Sequence, residues 1–180
     1  MIEVLVSIVI LTIGLLGFAA LFARVQQAGN EAYDRAQALL LLESMVNRIS
    51  ANRPAATCYA ITSSAGAPYL GVADSGNSGI PACEGYGDAL SQASANSDLA
   101  EWELELRGSA EKAGTSNAGG ALNARGCVFR DAVTGAYTVA VAWQGMSDSA
   151  IPVNNCGLSR YGSESRRRVV WVTLKIATLL

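Results

Sequence analysis

The N-terminal segment of the chain is apolar without interruption. From Val4 to Ala23 it reads VLVSIVILTIGLLGFAALFA, 20 residues without a formal charge, and Arg24 follows. A helix of that length rises about 30 Å, which matches the hydrocarbon thickness of a bilayer. We therefore predict a transmembrane segment over residues 1–24.

Glu3 stands at the leading edge of this apolar run, with only Met1 and Ile2 ahead of it. An ionised carboxylate within a bilayer costs about 2.5–3.5 kcal/mol on insertion scales, so a charge placed there usually has a partner. The alternative is that Glu3 lies at the membrane interface, where it interacts favourably with the positive end of its own helix.

The helical pattern continues beyond the apolar segment. No proline occurs before Pro54, and Glu31 and Arg35 form a favourable i, i+4 pair. Apolar residues recur at steps of three and four on the opposite side, at Ala32, Ala36, Leu39, Leu42, Val46 and Ile49. We predict one long helix within residues 1–53, whose second half packs on a globular domain formed by residues 54–180.

A long surface loop is predicted after this helix. From residue 55 to residue 97 the composition changes to Gly, Ser, Ala and Asn, with little periodicity. Loop aromatics are candidates for recognition, which singles out Tyr59, Tyr69 and Tyr86. The three tryptophans are instead expected to pack in the core or on the sheet: Trp102, Trp143 and Trp171.

Two patterns compete between Asp98 and Lys112. Glutamates alternate with apolar residues over 101–106, which suits a strand, whereas four apolar residues fall at helical spacing: Leu99, Trp102, Leu106 and Ala110. Asp98 and Glu101 have the form of a capping box, and Gly114 would end a helix. We favour a short helix here.

The last third of the chain carries the strand pattern. GCVFR over 126–130 leads through a turn near Thr134 and Gly135 into AYTVAVAW, so an antiparallel hairpin is predicted. Residues 168–177 (RVVWVTLKIA) form a further strand, with every second residue apolar. The predicted fold class is α+β, a long helix packed on a small antiparallel sheet.

The composition argues against an enzyme and against a metal site. Histidine is absent, which removes Ser-His-Asp and Cys-His nucleophile systems, and there are only two lysines, Lys112 and Lys175. The glutamates Glu101, Glu103, Glu105 and Glu111 are read as the exposed side of a helix rather than as a carboxylate pair or metal ligands. We expect no catalytic residues, no metal and no cofactor.

Four cysteines all follow the membrane segment: Cys58, Cys83, Cys127 and Cys156. Zinc ligands usually come in close pairs, which these intervals do not supply, so two disulfides in an oxidising compartment are predicted. Of the three possible connectivities we favour Cys58 with Cys83 and Cys127 with Cys156, because each closes a Gly-rich loop.

Arg166, Arg167 and Arg168 form the one basic run. The run could contact phosphate, or it could be a solvated strand entry that pairs with acidic neighbours. With a net charge of −2 over the whole chain, few phosphate contacts are available, and nucleic-acid binding is not expected.

The segment MIEVLVSIVILTIGLLG resembles the N-termini of type IV pilins and pseudopilins. The C-terminal half makes the resemblance more specific. It resembles the PilV-type minor pilins of the type IVa pilus through three features in order, the segment GCVFRDAVTGAYTVAVAWQG, an isolated cysteine and the segment RRRVVWVTLKIA. Residues 1–25 and 126–177 carry this resemblance, whereas residues 55–125 do not match it.

The resemblance implies that Glu3 is needed for assembly and that the helix near Gly14 and Gly17 is flexible on filament entry. It also implies a short basic leader ahead of Met1, which a prepilin peptidase removes before methylating the new N-terminus. By the positive-inside rule Arg24 would hold the C-terminal part in the cytoplasm, against the evidence of the cysteines. A cleaved basic leader resolves this conflict.

The function implied is that of a non-enzymatic subunit in the tip or priming complex of the pilus, supporting pilus assembly, adhesion and twitching motility. The implied partners are other minor pilins of the FimU, PilW, PilX and PilE types, a tip adhesin and the major pilin. The protein is expected in the inner membrane with a periplasmic head, and at the pilus tip after assembly. The alternatives are a minor pseudopilin of type II secretion and a membrane-anchored periplasmic binding domain.

Overall fold

The computed structural model describes residues 2–72, 82–109, 111–114, 116–117 and 119–177. By its internal contacts the chain divides into two compact units, Met1–Tyr33 and Asp34–Leu180. The first unit, where described, is helical throughout. The second holds the rest of that helix, a second helix and a small sheet.

Helix α1 runs from Ile2 to Ala51, 50 residues without a break. It ends where the amide of Asn52 donates to the carbonyl of Arg48, and a 3₁₀ segment, Arg53–Tyr59, follows at once. Pro54 lacks an amide proton and cannot continue the α-helical ladder. The predicted long helix is therefore confirmed.

The buried side of α1 differs from the predicted stripe. Ala36 and Leu39 are exposed, as is Ala32 in the first unit. The residues that enter the core are Ala38, Leu41, Leu42, Met45 and Ile49, with Val46 packed beside them. Four successive leucines at 39–42 give the helix an apolar residue on every side, so the sequence pattern alone does not determine which side is buried.

Helix α2 spans Ala89–Leu106, and its start corrects the predicted one. The side chain of Asp88, not Asp98, caps it by accepting a hydrogen bond of 2.7 Å from the amide of Ser91. Gly108, with φ of 73°, lies just past its end. The helical interpretation of residues 98–106 is confirmed, while residues 89–97 belong to the helix and not to the predicted loop.

The predicted loop contains further structure. A two-residue strand β1, Leu70–Gly71, pairs with the sheet, and both Tyr59 and Tyr69 are buried, so their proposed role in surface recognition was wrong. Tyr86 is exposed. The predicted loop residues 73–81 lie outside the described part of the chain.

Five more strands follow α2. Two short ones, β2 (Lys112–Ala113) and β3 (Ser116–Asn117), pair with each other, and the three long ones are β4 (Arg125–Arg130), β5 (Tyr137–Gln144) and β6 (Arg167–Leu174). The main sheet is antiparallel with the order β1-β4-β5-β6. Both the predicted β4–β5 hairpin and the predicted last strand are present, which confirms the α+β class.

The two faces of the sheet follow the alternation of the strands. One face contributes Val128, Val139, Val141 and Trp143 to the main core beneath the helices. The other face contributes Cys127, Ala140 and Ala142 to a second cluster with Tyr69, Cys156 and Tyr161. Cys127 is bonded to Cys156 and Cys58 to Cys83, the pairing favoured from the sequence.

Trp102 joins the layers of the main core. Its indole Nε1 donates a hydrogen bond of 2.8 Å to the carbonyl of Leu41 on α1. Its ring lies against β4 at Gly126, where an added Cβ would stand 2.4 Å from the Trp102 ring and 2.6 Å from Leu106. Glycine at position 126 therefore permits α2 to approach the sheet.

Candidate functional site

The first unit presents an apolar helical surface. Every residue from 2 to 30 is exposed, and by length and composition α1 is apolar enough to cross a membrane. Phe18 and Phe22 stack on each other along one side of the helix, with ring centroids 6.4 Å apart. The segment thus has the properties of a membrane anchor or of a surface that packs on other helices.

Two hydroxyls within the apolar run bond to the backbone of their own helix, whereas Glu3 does not. The hydroxyl of Ser7 donates to the carbonyl of Glu3 at 2.8 Å, and that of Thr12 donates to the carbonyl of Val9 at 2.9 Å. The Glu3 carboxylate lies in the first turn of α1 and has no hydrogen bond or ion pair to any residue that the structure describes. It is therefore available to a group on another molecule.

Gly14 and Gly17 lie inside the continuous helix. A Cβ added at either position would meet no atom within 4 Å, so no contact in the described structure requires glycine there. The predicted flexibility of this stretch stays a prediction, because α1 is a regular helix across both residues.

The second half of α1 is held on α2 by a charge cluster around Arg48. Its guanidinium bonds to Asp98 at 2.9 Å, to Glu101 at 2.8 Å and to Glu105 at 2.7 Å. The hydrogen bond from Arg48 lowers the pKa of the Glu101 carboxyl. For Arg48 itself burial acts against the charge, but hydrogen bonds to Glu101 and Asp98 prevail and raise its pKa.

The acidic residues on α2 form ion pairs with arginines. Glu101 and Glu105 pair with Arg48, and Glu103 pairs with Arg107 one turn away. No group of three or more potential metal ligands occurs in the described residues. The spacing of Asp98, Glu101 and Glu105 on one face of α2 is a signal for a basic partner, and sequence reasoning missed Arg48 as that partner.

The basic run at the start of β6 makes contacts within the protein. Arg167 is almost fully buried, bonded to Glu164 at 2.6 Å and to carbonyls of the preceding loop, including those of Pro152 and Cys156. Arg166 pairs with Asp148 at 3.3 Å, and Arg168 donates to the carbonyls of Ser147 and Ser165. The pairing with acidic neighbours is therefore confirmed for Arg166 and Arg167, whereas a solvated position is wrong for Arg167, which is buried.

A buried arginine that sequence reasoning missed supports the other face of the sheet. The guanidinium of Arg125 lies 5.2 Å from the ring centroid of Tyr69 and 4.6 Å from that of Tyr161, a cation–π sandwich. The hydroxyl of Tyr161 donates to the carbonyl of Asn123 at 3.2 Å. Burial raises the pKa of Tyr161 to about 12, although Arg125 acts in the opposite direction.

We expect the protein to lose stability between about pH 10 and pH 12. The unfolded tyrosine releases its proton near pH 10, and folded Tyr161 does so near pH 12, so rising pH favours the unfolded state by about 3 kcal/mol over this interval. Denaturant unfolding of the full chain in nonionic detergent at several pH values measures this loss. Tyr161→Phe should reduce the alkaline slope without abolishing it, because burial and a hydrogen bond to Asp98 also raise the pKa of Tyr59. An unchanged slope would contradict the assignment.

No protein-family model matches the chain, and no curated protein or solved structure matches it either. The fold supports a general likeness in the arrangement of its elements, and not membership of a family. A long apolar N-terminal helix packed on a small antiparallel sheet with disulfides is a pilin-like arrangement.

Proposed function

We propose that this protein is a non-enzymatic filament subunit, a minor pilin of the PilV type in the tip or priming complex of a type IV pilus. The observation that carries the proposal is the state of α1. A single helix holds an exposed apolar half whose first-turn carboxylate has no partner among the described residues, and a second half packed into a disulfide-braced head.

Glu3 supplies the assembly contact in this proposal. A carboxylate in a low-dielectric environment interacts much more strongly with an opposite charge than it does in water. The amino terminus of an adjacent subunit is the partner that the resemblance implies, and neutralisation by it removes the cost of keeping Glu3 in the apolar phase. Because the pair forms only at one axial offset, it also sets the register between neighbouring helices.

The outward side of α1 supplies further contacts in the filament. Leu39 and Leu40 are 47% and 60% exposed, although they lie between Ala38 and Leu41, which α1 buries in the head. Both leucines therefore leave apolar surface on the outside of the second unit. In the proposed filament they pack on the α1 helices of other minor pilins.

The head serves as a rigid recognition module in this proposal. Its layers are joined through Trp102 and Arg48, and two disulfides fix the loop after α1 and the loop after β5. Neighbouring minor pilins of the FimU, PilW, PilX and PilE types, the major pilin and a tip adhesin are the proposed partners. Before assembly the protein is held in the inner membrane with its head in the periplasm.

Glu3→Ala tests the proposal in cells that lack the wild-type protein. The variant should remain in the membrane fraction at the wild-type level, because the 20-residue apolar run is intact. Its content in sheared filaments should fall at least about tenfold, since a lost charge pair in lipid is worth more than about 1.4 kcal/mol. Immunoblotting of the two fractions measures both quantities.

Glu31→Ala is the matched control, since it removes an acidic residue from α1 beyond the apolar run. It should leave filament incorporation unchanged. Wild-type incorporation of Glu3→Ala would contradict the assembly role. Recovery of the protein with secretion-system components instead of pilus tip proteins would favour the pseudopilin alternative.

A second experiment separates a filament subunit from a tethered domain. Residues 1–24 are replaced by an unrelated membrane helix of the same length. A filament subunit should then be anchored but absent from pili, whereas an anchored binding domain should keep its activity.

A further inference from the structure

A pocket of about 300 Å³ opens in the second unit, where three segments of the chain meet. Its walls come from the 3₁₀ segment after α1, from the β4–β5 hairpin and from the residues that follow β6. Three of the lining residues are basic: Arg53, Arg130 and Lys175. No acidic residue lines it in the described part of the chain, although the protein as a whole has 15 acidic and 13 basic residues.

The sheet register explains why these charges converge. Arg130 ends β4 and is paired with Tyr137, the first residue of β5, and Tyr137 is paired in turn with Leu174 at the end of β6. Lys175 follows directly, so both cations stand at the same end of the sheet. The Arg130 guanidinium lies 5.9 Å from the ring centroid of Tyr137, which holds it at this edge.

The pocket cations differ from the structural arginines of this protein. Arg48, Arg107, Arg166 and Arg167 each form an ion pair with a carboxylate. Arg53 instead donates to the carbonyl of Ser50 at 3.3 Å, and within the described residues none of the three pocket cations has an acidic partner. The nearby carboxylate of Asp131 is engaged elsewhere, because it accepts from the amides of Val133 and Thr134 in the hairpin turn.

We propose that this pocket binds a phosphate group, a role beyond that of a filament subunit. Three positive charges with no acidic residue among the described lining residues favour a doubly charged oxyanion over a single carboxylate. Guanidinium groups match the oxygens of a phosphate in two-point hydrogen bonds, and a lysine adds a mobile third donor. Thr57, Thr134 and Tyr137 also line the pocket and carry hydroxyls, although those of Thr57 and Tyr137 lie 3.3 Å apart and share one hydrogen bond.

The remaining lining residues indicate what kind of group is attached to the phosphate. Pro54, Ala56 and Ile176 are apolar and line the same pocket as the cations. Such a wall suits the carbon portion of a phosphate ester. The ester is either a soluble one or the headgroup of a phospholipid.

The test titrates the full chain in nonionic detergent at pH 7.5, below 0.1 M salt, by isothermal calorimetry. The probes are inorganic phosphate, phenyl phosphate and dihexanoyl phosphatidic acid below its micellar concentration, all of which carry a doubly ionisable phosphate. Saturable one-to-one binding of phenyl phosphate that is tighter than that of the lipid assigns a soluble ester. The reverse order assigns a headgroup.

Arg130→Gln and Lys175→Gln should each weaken binding at least about tenfold, because each removes a charge-assisted hydrogen bond to the phosphate. Arg130→Lys, which keeps the charge, should bind more tightly than Arg130→Gln. Arg166→Gln is the control, since Arg166 is an exposed arginine outside the pocket, and its affinity should equal that of the wild type. Near-ultraviolet circular dichroism verifies that each variant is folded.

Two results would overturn the proposal. One is the absence of saturable binding for all three probes. The other is equal binding by folded Arg130→Gln, Lys175→Gln and wild-type protein, which would place any phosphate contact elsewhere on the surface.

Discussion

Replacing Trp102 with alanine should lower the free energy of unfolding of the globular unit by about 3–5 kcal/mol. The side chain is fully buried and packs in the main core with residues of α1, α2 and the sheet. Its removal leaves a cavity between α1 and β4, and it also leaves the carbonyl of Leu41 without the indole proton. Both losses act in the same direction.

Chemical denaturation of the full chain in nonionic detergent, followed by near-ultraviolet circular dichroism, measures this change. Trp171→Ala is the matched control, because Trp171 is 47% exposed on β6 and its removal should cost no more than about 1 kcal/mol. Equal effects of the two substitutions would contradict the central position assigned to Trp102.

A double-mutant cycle with Gly126→Ala tests the contact itself. The new Cβ would stand 2.4 Å from the Trp102 ring, so Gly126→Ala is strongly unfavourable in the wild-type background. Once the ring is removed the same methyl enters a cavity. The two substitutions should therefore be non-additive by about 1 kcal/mol or more, and strict additivity would show that the two residues do not share a contact.

Removal of the Cys127–Cys156 disulfide should have an effect of similar size. The bond closes a sequence separation of 29 residues, for which the chain-entropy model gives about 3–4 kcal/mol. Both cysteines are fully buried in the second cluster, so alanines at these positions also leave part of that space empty. Cys127→Ala/Cys156→Ala should therefore destabilise the head by at least about 3 kcal/mol under non-reducing conditions.

Hydrogen exchange locates this loss of stability. Amides in residues 145–166 should exchange faster in the double variant, because the disulfide joins their loop to β4. Amides of α2 should change less. Arg167, which bonds to carbonyls of the same loop, should keep part of it ordered, so a complete loss of protection is not expected. Unchanged exchange in 145–166 would contradict the role of the bond.

The pattern of the sequence was sufficient for the elements whose signal is local. An unbroken apolar run without proline predicts the first part of α1. Alternation predicts β5 and β6, and the turn before β5 predicts its hairpin with β4. The cysteine pairing also followed from local spacing. Glu3 could be singled out because a charge in an apolar run is anomalous on composition alone.

Other features were decided by contacts between distant residues. Asp88 caps α2 ten residues before the predicted start. The first half of this helix is stable because Ala95 and Leu99 pack in the main core, and its small residues show no helical periodicity in the sequence. The buried side of α1 is the side that packs on α2, where the indole of Trp102 donates a hydrogen bond to the carbonyl of Leu41. The short strand β1 exists only because β4 offers it an edge.

The candidate sites divide in the same way. The acid at position 3 and the apolar helix around it are properties of consecutive residues, so the sequence by itself determined them. The phosphate pocket joins Arg53, Arg130 and Lys175, which are far apart in the chain and carry no motif. Only the tertiary structure decided that pocket, because antiparallel pairing of β4, β5 and β6 places the ends of distant segments side by side.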